Sequence, residues 1–266
     1  MRLMLFKIGI FVLITSFIIM LNCGHKVQKE NLGPQDYFDY SKALLDKGKC
    51  VAAITEFTII VLKFSGHPIV DDAQFYLAES HFKCEEFLIA AAEYQKLIND
   101  YPESPYVEQA FFKIGSSYFE LSQRPELDQE YTSKSLRQFQ IFIEAYPNSS
   151  YRDETEQKIA LLRKKLARKQ LLGANVYRKM GIYDSAVIYY DILLEKYYDT
   201  PQAEEAMFYK AECQFKLKEY NLAITNFTAF IEKYPKSKYA RRAKEKITVI
   251  QELIREQEIS QHESEG

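Results

Sequence analysis

The chain has no tryptophan and, in 266 residues, only 9 glycines, 8 prolines, 4 cysteines and 4 histidines. So few glycines and prolines leave too little turn chemistry for an all-β or loop-rich fold of this length. The histidines (His25, His67, His81, His262) and the cysteines form no HExxH or CxxC spacing, so no metal site is expected. The GxSxG, Walker A and GxGxxG patterns are absent as well. Paired carboxylates, Asp71-Asp72 and Glu85-Glu86, fall at expected helix starts. There they complement the helix dipole by about 0.3–1 kcal/mol each, a more ordinary role than acid–base work. A net charge of −2 and a pI near 6.2 argue against a general grip on nucleic acid. Catalysis and a cofactor are therefore not expected.

What is abundant is apolar and aromatic. Apolar residues make up 47% of the chain, with 20 Tyr and 18 Phe, and rings in that number pack between helices or line a binding surface. Arg2 and Lys7 precede an apolar run from Ile8 to Leu21, too short for a comfortable membrane span and patterned like a secretory signal peptide. Met20-Leu21-Asn22-Cys23-Gly24 follows, a loose bacterial lipobox that points to lipid on Cys23, against an uncleaved anchor or a chance cysteine. Several acyl chains, at ~0.8 kcal/mol per buried CH₂, would hold the protein on a membrane. The other cysteines, Cys50, Cys84 and Cys213, are odd in number and suggest no disulfide framework. Cys50 falls at a helix-core position, where it reads as a small buried hydrophobe. Two basic clusters, Arg163 to Lys169 and Arg241 to Lys246, read as solvated helix faces.

The organising feature is an internal repeat. Ala73 to Ala78 leads to Phe82, Ala110 to Gly115 leads to Phe119, and Ala206 to Ala211 leads to Phe215. Each is followed by an amphipathic run ending in Tyr-Pro, at Tyr101-Pro102, Tyr146-Pro147 and Tyr234-Pro235. Within those runs Ala53, Ala90, Ala186 and Ala223 each precede an aromatic by four residues: Phe57, Tyr94, Tyr190 and Phe227. Ser135 and Phe139 supply the same two places in a further repeat. Apolar positions at i, i+3, i+4 and i+7 make these helices, exemplified by Leu222, Ala223, Phe227, Phe230 and Ile231. Proline ends each second helix, and a pair this small must stack on its neighbours.

This is the tetratricopeptide pattern. It predicts an all-α superhelix of five helix pairs, near 35–64, 69–100, 104–145, 150–198 and 201–233, with a capping helix near 237–258. Residues 1–22 read as signal peptide, 23–33 as a lipidated tether, 34–258 as the repeat domain and 259–266 as a flexible acidic tail. The third repeat carries an insertion, Gln123 to Asp128, and the fourth begins with a helix of about twice the usual length whose face includes Ile159, Leu162 and Leu166.

A lipobox before five such repeats resembles the BamD family of outer-membrane assembly lipoproteins. The likeness is carried by Tyr146-Pro-Asn-Ser-Ser-Tyr151, the basic helix from Lys158 to Ala167, then Tyr177, Gly181 and Asp199-Thr200, over residues 34 to about 250. The resemblance implies a lipid-anchored protein on the periplasmic face of the outer membrane. Its partners would be the BamA POTRA domain nearest the membrane, the C-terminal signal of unfolded outer-membrane proteins, and other Bam lipoproteins. Another periplasmic tetratricopeptide scaffold, in envelope division or pilus biogenesis, is the alternative. A lytic glycosidase would need an isolated acid on an apolar run, and none stands out.

In such superhelices the first helix of each pair makes the inner wall. That places Phe38, Lys42, Phe75, Tyr76, Glu79, Phe112 and Ser116 in a candidate peptide groove, with Phe82 and Phe119 one turn further on. Either these rings pack between repeats or they anchor an extended or helical peptide. The resemblance puts BamA on the C-terminal repeats, where Arg241 and Arg242 are the candidate contacts. The lipid expectation is directly testable: Cys23→Ala should release the protein into the soluble periplasmic fraction and abolish palmitate labelling. Retention on the membrane would show that the lipobox was misread.

Overall fold

A repeated apolar stripe brings the chain into helices, and the turn inside each pair ends the first helix by one device. In four pairs the amide of the residue opening the second helix reaches back five residues, from Lys49 to Leu44 O, Glu86 to His81 O, Ile182 to Tyr177 O and Glu219 to Gln214 O, at 2.9–3.0 Å. These helix-ending loops need a residue in the left-handed region. Gly48 (φ 72°) and Gly181 (φ 78°) supply it freely, whereas Glu85 (φ 62°) and Lys218 (φ 63°) adopt it as non-glycine residues.

The computed structural model describes residues 29–265. A 3₁₀ turn at Lys29–Asn31 leads into eleven α-helices: α1 (Pro34–Asp46), α2 (Cys50–Lys63), α3 (Ile69–Lys83), α4 (Phe87–Asp100), α5 (Val107–Glu120), α6 (Glu130–Ala145), α7 (Arg152–Lys179), α8 (Tyr183–Lys196), α9 (Gln202–Lys216), α10 (Tyr220–Lys233) and α11 (Ala240–Glu265). No strand occurs among the described residues. Each helix packs on the next, and first helices also meet across pairs, α1 with α3 and α7 with α9. The result is a tetratricopeptide array of five pairs with α11 packed on α10. The signal-like run and Cys23 lie outside the described residues.

The small-residue and aromatic columns form the core. Ala53, Ala90, Ala186 and Ala223 are fully buried, as are Phe57, Tyr94, Phe139, Tyr190 and Phe227. Gly115 stands where its neighbours carry alanine because a Cβ there would meet the Phe139 ring at 2.6 Å. Ser135, in the alanine place opposite, donates to Gly115 O at 2.9 Å. The 28-residue α7 serves two cores: Leu162 joins Phe112, Phe139 and Phe142, while Leu171 and Ala174 join Ala186 and Tyr190.

Several expectations need correction. Leu222 is 52% exposed, so the stripe of α10 is narrower than its run of apolar residues suggests. Within the span read as a tether, Leu32 packs on the first core and Lys29 pairs with Glu56. The last helix continues to Glu265, through most of the span expected to be a flexible tail. The basic cluster of α7 is partly structural. Lys165 donates to Ser122 O and Oγ at 3.1 and 2.7 Å, and Lys169 to Glu126 O and Leu127 O at 3.2 and 3.1 Å, so both hold the inserted loop. Burial pushes the Lys165 ammonium below its ordinary range. Arg163 forks onto Asp199 at 3.1 and 2.5 Å, and the guanidinium holds that carboxyl below the usual carboxylate range.

The cysteine reading is also overturned. Cys50 and Cys84 form a disulfide, with Cα atoms 5.6 Å apart. Cys50 opens α2 and Cys84 caps α3, so stacking of the first two repeats brings them together. Cys213 remains free and buried, and burial pushes its thiol up to about 12. The bond closes a segment 34 residues long. Removing it with Cys50→Ser and Cys84→Ser should cost the first two repeats about 2–4 kcal/mol. Urea unfolding of oxidised and reduced chains measures this; coincident curves would show that the bond contributes nothing.

Candidate peptide-binding wall

The wall begins at the turns that feed each first helix. Three of them share one sequence: Tyr101-Pro-Glu-Ser104-Pro-Tyr106, Tyr146-Pro-Asn-Ser149-Ser-Tyr151 and Tyr234-Pro-Lys-Ser237-Lys-Tyr239. In each, the serine amide donates to the first tyrosine carbonyl at 3.0–3.1 Å. The serine Oγ accepts from the second tyrosine amide at 3.4, 3.0 and 3.0 Å. The second tyrosine is thereby laid flat on a phenylalanine of the preceding first helix. Tyr106 stacks on Phe75 at 4.4 Å, Tyr151 on Phe112 at 4.7 Å and Tyr239 on Phe208 at 4.6 Å.

This settles the position of the groove rings. Phe75 and Phe112 are buried beneath their tyrosines, and Phe38 is buried edge-on against Phe57 and Tyr76. These three pack between helices and cannot serve as anchors, which corrects the expectation for them. Ser116 is also buried, its hydroxyl donating to Phe112 O at 3.2 Å. Half-buried Tyr76, Phe82 and Phe119 are the rings that still reach the surface of the wall.

A column of cations accompanies those rings. Lys113, Lys158 and Lys246 each follow a turn tyrosine by seven residues. Their ammonium groups lie over Phe82, Phe119 and Phe215 at 4.9, 4.4 and 4.7 Å. Lys42 lies over Tyr76 at 5.4 Å and pairs with Asp46 at 3.9 Å. Each such contact contributes about 0.5–1 kcal/mol and fixes a cation beside an aromatic face. Glu79 accepts from the Tyr94 hydroxyl and pairs with Lys113 at 2.7 Å. Burial first, and the Glu79 charge second, push the Tyr94 phenol far above its ordinary range.

At the C-terminal end the two basic candidates separate. Arg241 is freely exposed, with Glu245 at 3.6 Å. Arg242 pairs with Glu212 at 2.8 Å and covers Phe208 at 4.8 Å. No group of His, Cys, Asp and Glu that could hold a metal occurs among the described residues, and none of the described helices is long and apolar enough to cross a membrane. Sequence reasoning missed the turn tyrosines and the lysine column. Both were present as a threefold Tyr-Pro-x-Ser-x-Tyr and the lysine at fixed distance after it.

Comparison with known proteins adds an independent finding. Residues 31–223 match the family described as YfiO, outer membrane lipoprotein. The chain is 26% identical over 196 residues to the outer membrane protein assembly factor BamD of Rickettsia prowazekii, covering 74% of this chain and 78% of that one. It is 27% identical over 186 residues to BamD of Helicobacter pylori, covering 67% and 83%. Among solved structures it is similar to the TPR2AB domain of yeast Sti1, solved as a complex with pHSP90, at 15% identity over 84% of each chain and a TM-score of 0.42.

The Glu79 junction can be tested as a unit. Glu79→Ala strands both the Tyr94 hydroxyl and the Lys113 ammonium, at an expected cost of about 2–4 kcal/mol. Glu79→Gln keeps an acceptor and should cost about 1 kcal/mol. Equal denaturation midpoints for the two variants would show that the junction carries no stability.

Proposed function

The chain belongs to the YfiO family of outer membrane lipoproteins, and from that premise we propose that it is a non-catalytic recognition subunit of outer-membrane protein assembly. In this reading lipid on Cys23 anchors it to the periplasmic face of the outer membrane. Its repeats bind the C-terminal segments of unfolded outer-membrane proteins at the N-terminal half and a POTRA domain of BamA at the C-terminal half. Disulfides persist in oxidising compartments such as the periplasm, and the Cys50–Cys84 bond supports that location.

The observation that carries the reading is the shelf formed by Tyr76, Phe82 and Phe119, with Lys42, Lys113 and Lys158 seated over the rings. An extended peptide ending in an aromatic residue would find rings there for its side chain. The shelf belongs to first helices held in register by the buried stacks, so it is rigid before any peptide arrives. At the other end, the exposed guanidinium of Arg241 suits a rim contact that tunes association with a partner.

Tyr76→Ala with Phe82→Ala should weaken an aromatic-ended peptide by about 2 kcal/mol, roughly thirtyfold, in fluorescence anisotropy. A BamA POTRA pull-down should be unaffected. Arg241→Glu should do the reverse, with a marked salt dependence. Normal peptide affinity in a folded Tyr76/Phe82 double variant would refute the shelf assignment.

A further inference from the structure

The three lysines of the wall have unequal surroundings. Lys113 over Phe82 is paired with Glu79 at 2.7 Å, and Lys158 over Phe119 with Glu154 at 3.5 Å. Lys246 sits over Phe215 in the same way, yet no carboxylate lies within ion-pair distance of it among the described residues. The acid in register with Glu79 is Glu212, since each stands three residues before its ring. Arg242 holds Glu212 instead, at 2.8 Å.

The consequence is a small pocket of about 120 Å³ between the end of α7, the start of α8, α9 and α11, with the buried Cys213 in its lining. Arg178, Lys216 and Lys246 line it, together with the rings of Tyr183 and Phe215. Arg178 stacks over Tyr209 at 4.0 Å and donates to Asn175 Oδ1 at 3.3 Å, a neutral partner. Lys216 is exposed, and none of the three cations has a carboxylate partner among the described residues. The one acid of the lining, Glu212, is already neutralised by Arg242. Three uncompensated positive charges therefore converge on a cavity with room for a single side-chain head group.

We propose that this pocket binds a carboxylate side chain presented by an acidic segment of a partner protein. The cations supply the charge complement, and Tyr183 and Phe215 offer apolar cover for the stem and neighbours of the acid. A second contact point, distinct from the aromatic shelf at the other end, would dock a partner segment while the shelf holds its own peptide. The inference rests on reading the first-helix wall as a peptide surface, but concerns its other half.

The test uses the full chain and two labelled decapeptides, one with a Glu-Phe-Glu centre and one with Gln-Phe-Gln. Fluorescence anisotropy should show the acidic peptide binding at least tenfold more tightly than its twin. Lys216→Gln with Lys246→Gln should erase that difference and flatten the salt dependence, because two counter-charges are lost. Binding of an aromatic-ended peptide at Tyr76 and Phe82 should be untouched, which separates failure here from failure of the shelf. Lys216→Gln alone, at an exposed position, serves as the milder variant and should give a smaller loss of the same sign. Unchanged acidic-peptide affinity in the folded double variant would overturn the proposal. So would displacement of the peptide by inorganic phosphate at equal concentration, which would make the pocket a site for free anions.

Discussion

Every helix pair in this chain leaves an apolar face that it cannot bury alone, and at three of the junctions a flat tyrosine from the next turn closes it. Tyr106 on Phe75, Tyr151 on Phe112 and Tyr239 on Phe208 lie nearly parallel, tilted by 15°, 17° and 14°. The stack follows a turn that takes the same hydrogen-bonded shape at all three junctions. Proline ends the second helix, the serine hydroxyl holds the tyrosine amide, and the ring lies on the phenylalanine. At two junctions the serine also donates back to the preceding repeat, Ser149 to Glu108 at 2.5 Å and Ser237 to Glu204 at 2.6 Å. The angle between successive pairs, and so the wall made by their first helices, follows from these small contacts.

The first two repeats are joined differently. There the turn is Phe64-Ser-Gly-His67-Pro-Ile69, in which the His67 ring accepts from the Ile69 amide at 3.2 Å in place of a serine hydroxyl. No tyrosine stacks on Phe38 from that turn; Tyr76 of α3 meets it edge-on at 5.4 Å. The disulfide between Cys50 and Cys84 spans this same junction. A covalent tie thus occurs where the recurring aromatic lock is weakest, and both restrain the same degree of freedom.

Much of this was legible in the residues. The alanine and aromatic columns are period-locked, so the helix pairs and their cores could be placed from spacing alone. Burial of Phe75 and Phe112 could not, because a helical stripe tells which face a ring lies on and not what covers that face. The cover comes from Tyr106 and Tyr151, some thirty to forty residues later, and depends on how the turn between them folds. Cys50 and Cys84 were unreadable for a related reason. Pairing requires Cα atoms about 5.5–6 Å apart, and their proximity is a product of repeat stacking with no local signature. Leu222 illustrates the opposite error, in which an apolar residue beside a true core position was counted as part of it.

The charge of the wall turns on one variable position. Four residues before the ring-covering lysine stand Gln109 in α5, Glu154 in α7 and Arg242 in α11. With Gln109, a neutral side chain leaves Glu79 of α3 to Lys113, and the junction is self-contained. In the next repeat Ser116 stands where Glu79 would, so there is no acid to share. Glu154 supplies one from its own helix, and Lys158 is neutralised in turn. Arg242 reverses the arrangement by taking Glu212 for itself and leaving Lys246 uncompensated. The repeat template stays the same at all three junctions: tyrosine on phenylalanine, lysine over the next ring. The side chain at this position decides whether the lysine over the ring is paired with a carboxylate, as at Lys113 and Lys158, or left without one, as at Lys246.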